Sequence, residues 1–196
     1  MGSSPSFLNR LEWRRAVKHF AEGELDTASI QKAIIASPSS FGLQPYKVYA
    51  VRNKELKTAL TAASFGQAQV AECDTLFVFC ARTDVEERAE EYLKTTGAES
   101  LRQMLMGFLK ARGNLTDWAA RQAYIALGFA MAACMEEEIA SCPMEGFMPT
   151  EVAKILDLPS TLVPVAYLAV GEDAGPEATS YPRFRFAAED LIVHRP

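Results

Sequence analysis

Leu76 to Ala81 (LFVFCA) is a short apolar run with no polar face, bounded on both sides by polar residues. A half-exposed strand alternates apolar and polar side chains. An unbroken apolar run of strand length instead suits a strand covered on both faces, so this chain must supply packing layers on two sides of a sheet. Lys47 to Val51 (KVYAV) and Leu162 to Val170 (LVPVAYLAV) have the β-branched and aromatic content of further strands. Both Lys47–Val51 and Leu76–Ala81 read as central or nearly so.

The helices that would cover them are also legible. Leu25 to Ser37 opens with Asp26 as a cap, has Leu25 and Ile30 at the spacing of a hydrophobic staple, and carries an apolar stripe of Ile30, Ala33 and Ile34. It stops at Ser37-Pro38, because proline disfavours helical geometry in the residue before it. Asn53 opens a helix to about Ala63. Asp84 to Arg112 reads as a charged helical excursion broken near Thr96-Gly97, with Leu101, Leu105, Phe108 and Leu109 on its inner face. Thr116 or Asp117 caps a long alanine-rich helix to about Ile139, lined by Tyr124, Leu127, Met131 and Met135, whose small residues suit a core or a dimer interface. A turn region (CPMEGFMP), a helix from Thr150 to Leu158 and the 162–170 strand follow. With no internal repeat or linker, residues 1–196 read as one α+β domain. The apolar tail, with Phe184, Phe186, Leu191 and Ile192, is expected to pack on the body or to embrace a partner subunit.

Composition narrows the function classes. The 20 Lys and Arg against 25 Asp and Glu give a net charge of −5, which argues against nucleic acid as a partner and requires any anionic ligand to be held by a local cluster of cations. The longest apolar run, Ala123 to Met135 with Gly128 included, falls well short of the ~18 residues of a membrane span. No membrane association is expected, and the absence of a secretory apolar stretch in residues 1–15 predicts a cytoplasmic location. Cys73, Cys80, Cys134 and Cys142 show no CxxC spacing and read as reduced, buried thiols. With His19 and His194 the two histidines of the chain, no local set of three ligands forms, and no metal site is expected. The sequence has no GxSxG, no GxxxxGK[ST] and no GxGxxG after a strand.

Four segments carry the chemistry: RRAVKHF (Arg14 to Phe20), PSSFGLQPY (Pro38 to Tyr46), PMEGF (Pro143 to Phe147) and PRFR (Pro182 to Arg185). In type and order they resemble the nitroreductase family, and VFCARTD (Val78 to Asp84) and RQAYIALG (Arg121 to Gly128) extend the resemblance over essentially the whole chain. It implies an α+β fold with a central, mainly antiparallel sheet flanked by helices, an intertwined homodimer with FMN at the subunit interface, and NADH or NADPH as hydride donor to a small-molecule electron acceptor. The implied activity is reduction of nitroaromatics, quinones or related electrophiles by a ping-pong scheme. A flavin-dependent dehydrogenase or oxidase of a heterocycle, and a flavin-binding protein without turnover, use the same cofactor residues and stay open as alternatives.

The resemblance assigns the cofactor contacts residue by residue. Arg14 and Arg185 match the phosphate contacts, with Arg15 and Arg183 assisting at the phosphate or ribityl chain; a phosphate of about two negative charges on an acidic protein needs such a cluster. Ala16 stands where a serine is common and removes one hydroxyl from that site. Lys18 matches the lysine at the flavin pyrimidine edge, where a cation stabilises the charge gained on reduction; by itself it reads equally as a surface lysine. Pro38, Ser39 and Ser40 match the loop that meets the flavin across the dimer, although as residues alone they also describe a polar turn, and Gly42 replaces a polar residue of some members. Gln69, then Gln67, are the candidates for the neutral donor at the pyrimidine edge. Pro143 and Met144 border the ring, and the backbone of Glu145 and Gly146 lies near flavin N5, glycine permitting the close approach. Tyr124 reads as a flavin neighbour or as a core residue. No side chain is nominated as catalytic.

Overall fold

The computed structural model describes residues 6–175 and 184–195. Its elements are α1 (Phe7–Trp13), β1 (Phe20–Ala21), α2 (Ala28–Ala36), β2 (Tyr46–Val51), α3 (Lys54–Ala63), α4 (Ala68–Glu72), β3 (Thr75–Arg82), α5 (Val85–Thr96), α6 (Arg102–Lys110), α7 (Leu115–Glu136), β4 (Ala140–Met144), α8 (Pro149–Ile155), β5 (Leu162–Asp173) and α9 (Ala188–Leu191). The sheet is antiparallel, in the order β4-β5-β3-β2, with β1 paired to the end of β5.

β3 behaves as its apolar run requires. Leu76, Val78 and Cys80 face one core, beneath α3, α4 and α8, while Phe77 and Phe79 face another, beneath α2 and α7. β2 pairs with β3 alone among the described strands and leaves three of its six residues half-buried and two exposed, so it is an edge strand rather than a central one. A third core joins Leu43 to Val85, Leu93, Leu105, Leu109 and Trp118, so the 85–110 excursion packs against the loop after α2 and the first turns of α7. That excursion breaks at Gly97, whose φ of 70° is a left-handed cap that glycine adopts without cost.

Local signals at the ends of elements differ from expectation in three places. α2 is capped at Thr27, yet Asp26 Oδ1 still accepts from the Ala28 amide at 2.9 Å. α7 is capped two residues before Thr116 and three before Asp117, because the Asn114 side chain accepts from the Asp117 amide at 3.1 Å, and it ends at Glu136. The segment read as a turn after α7 begins with β4, whose proline is tolerated because β4 lies at the edge of the four-strand order. The four cysteines are free and buried, and burial pushes the thiols of Cys73, Cys80 and Cys134 up to about 12.

Candidate functional site

β4 explains how segments far apart in the chain meet. Beyond Ser141 its outer edge is taken by residues 16–17, in a parallel bridge from Ala16 to Ser141 with the Val17 amide donating to the Ser141 carbonyl at 3.2 Å. The basic segment is thereby laid along the strand that leads into PMEGF. Lys18 is half-buried, and its Nζ donates to Cys142 Sγ at 3.5 Å. Burial raises the Cys142 thiol pKa, while the charges of Lys18 and, more weakly, Arg14 oppose the rise, so the fields of both cations converge at the base of the 143–146 segment. Arg14 is half-buried and its amide closes α1 on the Arg10 carbonyl. Arg15 is exposed and turns back to the carbonyls of Glu12 and Arg14 at 3.1 and 3.2 Å.

A second approach comes from the turn between α3 and α4. Phe65 and Gly66 both have positive φ, 55° and 71°, a reversal that aims Gln67 at the 145–148 segment. Gln67 Nε2 donates to the Gly146 carbonyl at 2.7 Å, Gln69 Nε2 donates to Gln67 Oε1 at 3.1 Å, and the Met148 amide donates to the Ala63 carbonyl at 2.9 Å. A Cβ on Gly146 would come within 2.8 Å of Gln67 Nε2, so a side chain there would displace the Gln67 amide. Phe147 anchors the far side by stacking on Tyr167, with centroids 4.1 Å apart and planes 12° from parallel. Tyr167 and Ser64 carry buried hydroxyls that close no hydrogen bond, although the Ser64 hydroxyl lies near enough to oppose the rise in the phenol pKa that burial causes.

Pro143 is half-buried, Met144 buried, and Glu145 and Gly146 exposed at the open end of this assembly. Tyr124 sits beside it on α7. Its hydroxyl donates to the Val165 carbonyl at 3.0 Å, and burial followed by the neighbouring Glu145 carboxylate raises its pKa. Val165 is the extra residue where the β3–β5 register shifts, next to Pro164, which leaves its carbonyl for the tyrosine. One expected group is thus assembled within a single chain: Arg14, Ala16, Lys18, Gln67, Gln69, Pro143, Met144, Glu145 and Gly146.

Pro38, Ser39 and Ser40 are placed in the other layer. The Ser40 amide donates to the buried Gln122 side chain of α7 at 2.9 Å, Ser39 Oγ accepts from the Gln44 amide at 2.9 Å, and Arg88 of α5 donates to the Leu43 carbonyl at 3.0 Å. These bonds hold a loop in which Phe41, Gly42 and Gln44 all have positive φ, 58°, 73° and 44°. Gln122 is not among the residues the sequence nominates for the site; it is a polar side chain on the buried face of α7. Arg185 is exposed and donates to the adjacent Phe184 carbonyl at 2.6 Å, and Arg183 lies outside the described residues.

An antiparallel sheet between helical layers, with a basic N-terminal segment laid beside a proline- and glycine-bearing loop, defines an α+β protein with a preformed polar site at the end of an edge strand. The family model described as the nitroreductase family matches residues 11–172, and the chain belongs to that family. It is 29% identical over 192 residues to an NADH dehydrogenase of Thermus thermophilus, covering 93% of this chain and 92% of the relative. It is 30% identical over 175 residues to a Bacillus subtilis protein named as an NAD(P)H nitroreductase, covering 76% and 78% of the two chains. Its fold matches that of an Exiguobacterium sibiricum protein, titled a nitroreductase in complex with FMN, at a TM-score of 0.83 with 18% identity, covering 99% of each chain.

Proposed function

We propose that this chain, 1–196, acts as one FMN-binding domain of a homodimeric oxidoreductase, taking hydride from NADH or NADPH and passing it to a small conjugated electrophile such as a nitroaromatic or quinone. The observation that carries the reading is the convergence of Lys18, Gln69 and the Glu145-Gly146 backbone through β4 and the 63–67 turn. The donor set fits the cofactor. Arg14 and Lys18 are half-buried cations beside one strand, suited to an anionic group, and the Glu145-Gly146 backbone is exposed at the end of that strand.

FMN, when bound, supplies the two-electron chemistry at N5. The chain binds and tunes it. Arg14, with Arg15 and the tail arginines Arg183 and Arg185, would neutralise the phosphate, and Lys18 would place positive charge at the pyrimidine edge, favouring the electron-rich form. One pocket serving donor and acceptor in turn gives a ping-pong order. Within one chain the serine loop belongs to the α7 layer, whereas Cys142, Met144 and Phe147 belong to the opposite core, an arrangement that supports Ser39 and Ser40 serving the cofactor site of a second copy.

The test is the visible absorption spectrum after FMN addition and desalting, followed by NADH and NADPH under anaerobic conditions. A retained flavin band that bleaches with either nucleotide is expected. Arg14→Ala should weaken FMN retention by about 1.5–3 kcal/mol, the worth of a charge-assisted hydrogen bond. Absence of a retained band in the wild-type protein, or retention untouched by Arg14→Ala, overturns the reading.

A further inference from the structure

Gln67 stands in the sequence as a second candidate donor to the flavin, but its amide is already committed. One N–H of Nε2 reaches the Gly146 carbonyl at 2.7 Å, the other reaches the Ser64 carbonyl at 3.1 Å, and Oε1 accepts from Gln69 Nε2 at 3.1 Å. An amide nitrogen has two hydrogens to give, so none is left for a ligand. Gln69 differs: it spends one N–H on Gln67 and keeps the second.

The geometry points to Gln67 as a positioning residue that fixes both ends of the ring site at once, orienting the Gly146 peptide through its nitrogen and the Gln69 amide through its oxygen. This rests on the flavin reading above. Three features support it. The Phe65-Gly66 reversal, with φ positive at both residues, puts Gln67 at the start of α4 pointing across to residue 146. The Met148 amide on the Ala63 carbonyl makes a second tie between the same two segments, and the Phe147 amide donates to the Glu145 carbonyl at 2.9 Å in a tight turn, so the 146 peptide is held from both sides. The absence of a Cβ at Gly146 lets Gln67 close to hydrogen-bonding distance; alanine there would push the amide away. Because Gln67 donates to one end and accepts from the other, its loss misaligns two groups at once.

The test compares wild type with Gln67→Glu, which keeps the shape but replaces donors by a carboxylate that repels the Gly146 and Ser64 carbonyls, and with Gln67→Met, which is neutral, of similar volume and lacks the amide. The first readout needs no flavin: amide hydrogen exchange of the unloaded protein. Exchange in 145–148 should accelerate at least about tenfold in both variants, with β3 and β5 unchanged. The second readout is on FMN-loaded protein. Bleaching by NADH or NADPH should slow by about tenfold to a hundredfold, as for reacting groups displaced by a fraction of an ångström to 1 Å, while FMN affinity changes by less than about fivefold because the phosphate contacts are intact. A loss of affinity equal to the loss of rate would make Gln67 a direct ligand and overturn the proposal, as would unchanged exchange at 145–148. If 145–148 loosens in the variants but the wild type holds no FMN, the latch stands and the flavin reading falls.

Discussion

Lys18 and Gln69 illustrate how far single residues can be read. Each is an ordinary polar side chain in the sequence; the structure half-buries one beside Cys142 and buries the other against Gln67. In the proposed flavin site, Lys18 is the cation at the pyrimidine edge. Replacing it with methionine removes a cation from the pyrimidine edge and destabilises the reduced, more negative flavin. The two-electron midpoint potential should therefore fall by roughly 30–65 mV, the equivalent of a charged hydrogen bond worth about 1.5–3 kcal/mol. Spectroelectrochemical titration measures it directly, and an unchanged potential would place Lys18 elsewhere. Gln67 shows the opposite case, in which residue type pointed to a ligand and the hydrogen-bond count points to a brace.

Among the elements, α3 was legible through its cap, and strand β4 was not. Asn53 caps α3 as its residue type implies, its side chain accepting from the Leu56 amide at 2.8 Å. For α7 three polar residues within four positions, Asn114, Thr116 and Asp117, all suit a cap, and spacing alone does not choose among them; the Asn114–Asp117 bond does. Asn114→Ala should cost about 0.5–2 kcal/mol, near 1 in most hosts, read as a lower urea midpoint with unchanged m. Thr116→Ala should be nearly silent by the same measurement. β4 escaped notice because ASCPM contains a proline and is short, two marks of a turn. Its strand character comes from pairing with β5, a partner more than twenty residues away in the chain.

At the level of the whole molecule, apolar groups remain uncovered in one copy. Phe129, Ile125 and Tyr124 of α7 are exposed, and on the tail Phe184, Phe186, Leu191, Ile192 and Val193 are all more than 60% exposed. Exposed apolar side chains in such number mark interaction surfaces, and the Ser40 amide ties the serine loop to α7 through Gln122. Removing residues 184–196 should weaken the dimer by more than about tenfold and lower FMN retention in parallel. Sedimentation equilibrium with the flavin absorbance as tracer reads both, and a truncated chain that stays dimeric and keeps its flavin would sink this arrangement.

The four motif segments, the family they resemble, the covered strand at 76–81 and the helix stops at proline and glycine were set by local chemistry, which acts between residues a few positions apart and so is written in the sequence. Which of β2 and β3 is the edge, the conversion of ASCPM into the strand that gathers the site, and the commitment of Gln67 to Gly146 were decided by contacts between residues as much as 79 to 125 positions apart. Such contacts depend on how sheet edges and turns meet once the chain has closed on itself, and no spacing along the sequence encodes them.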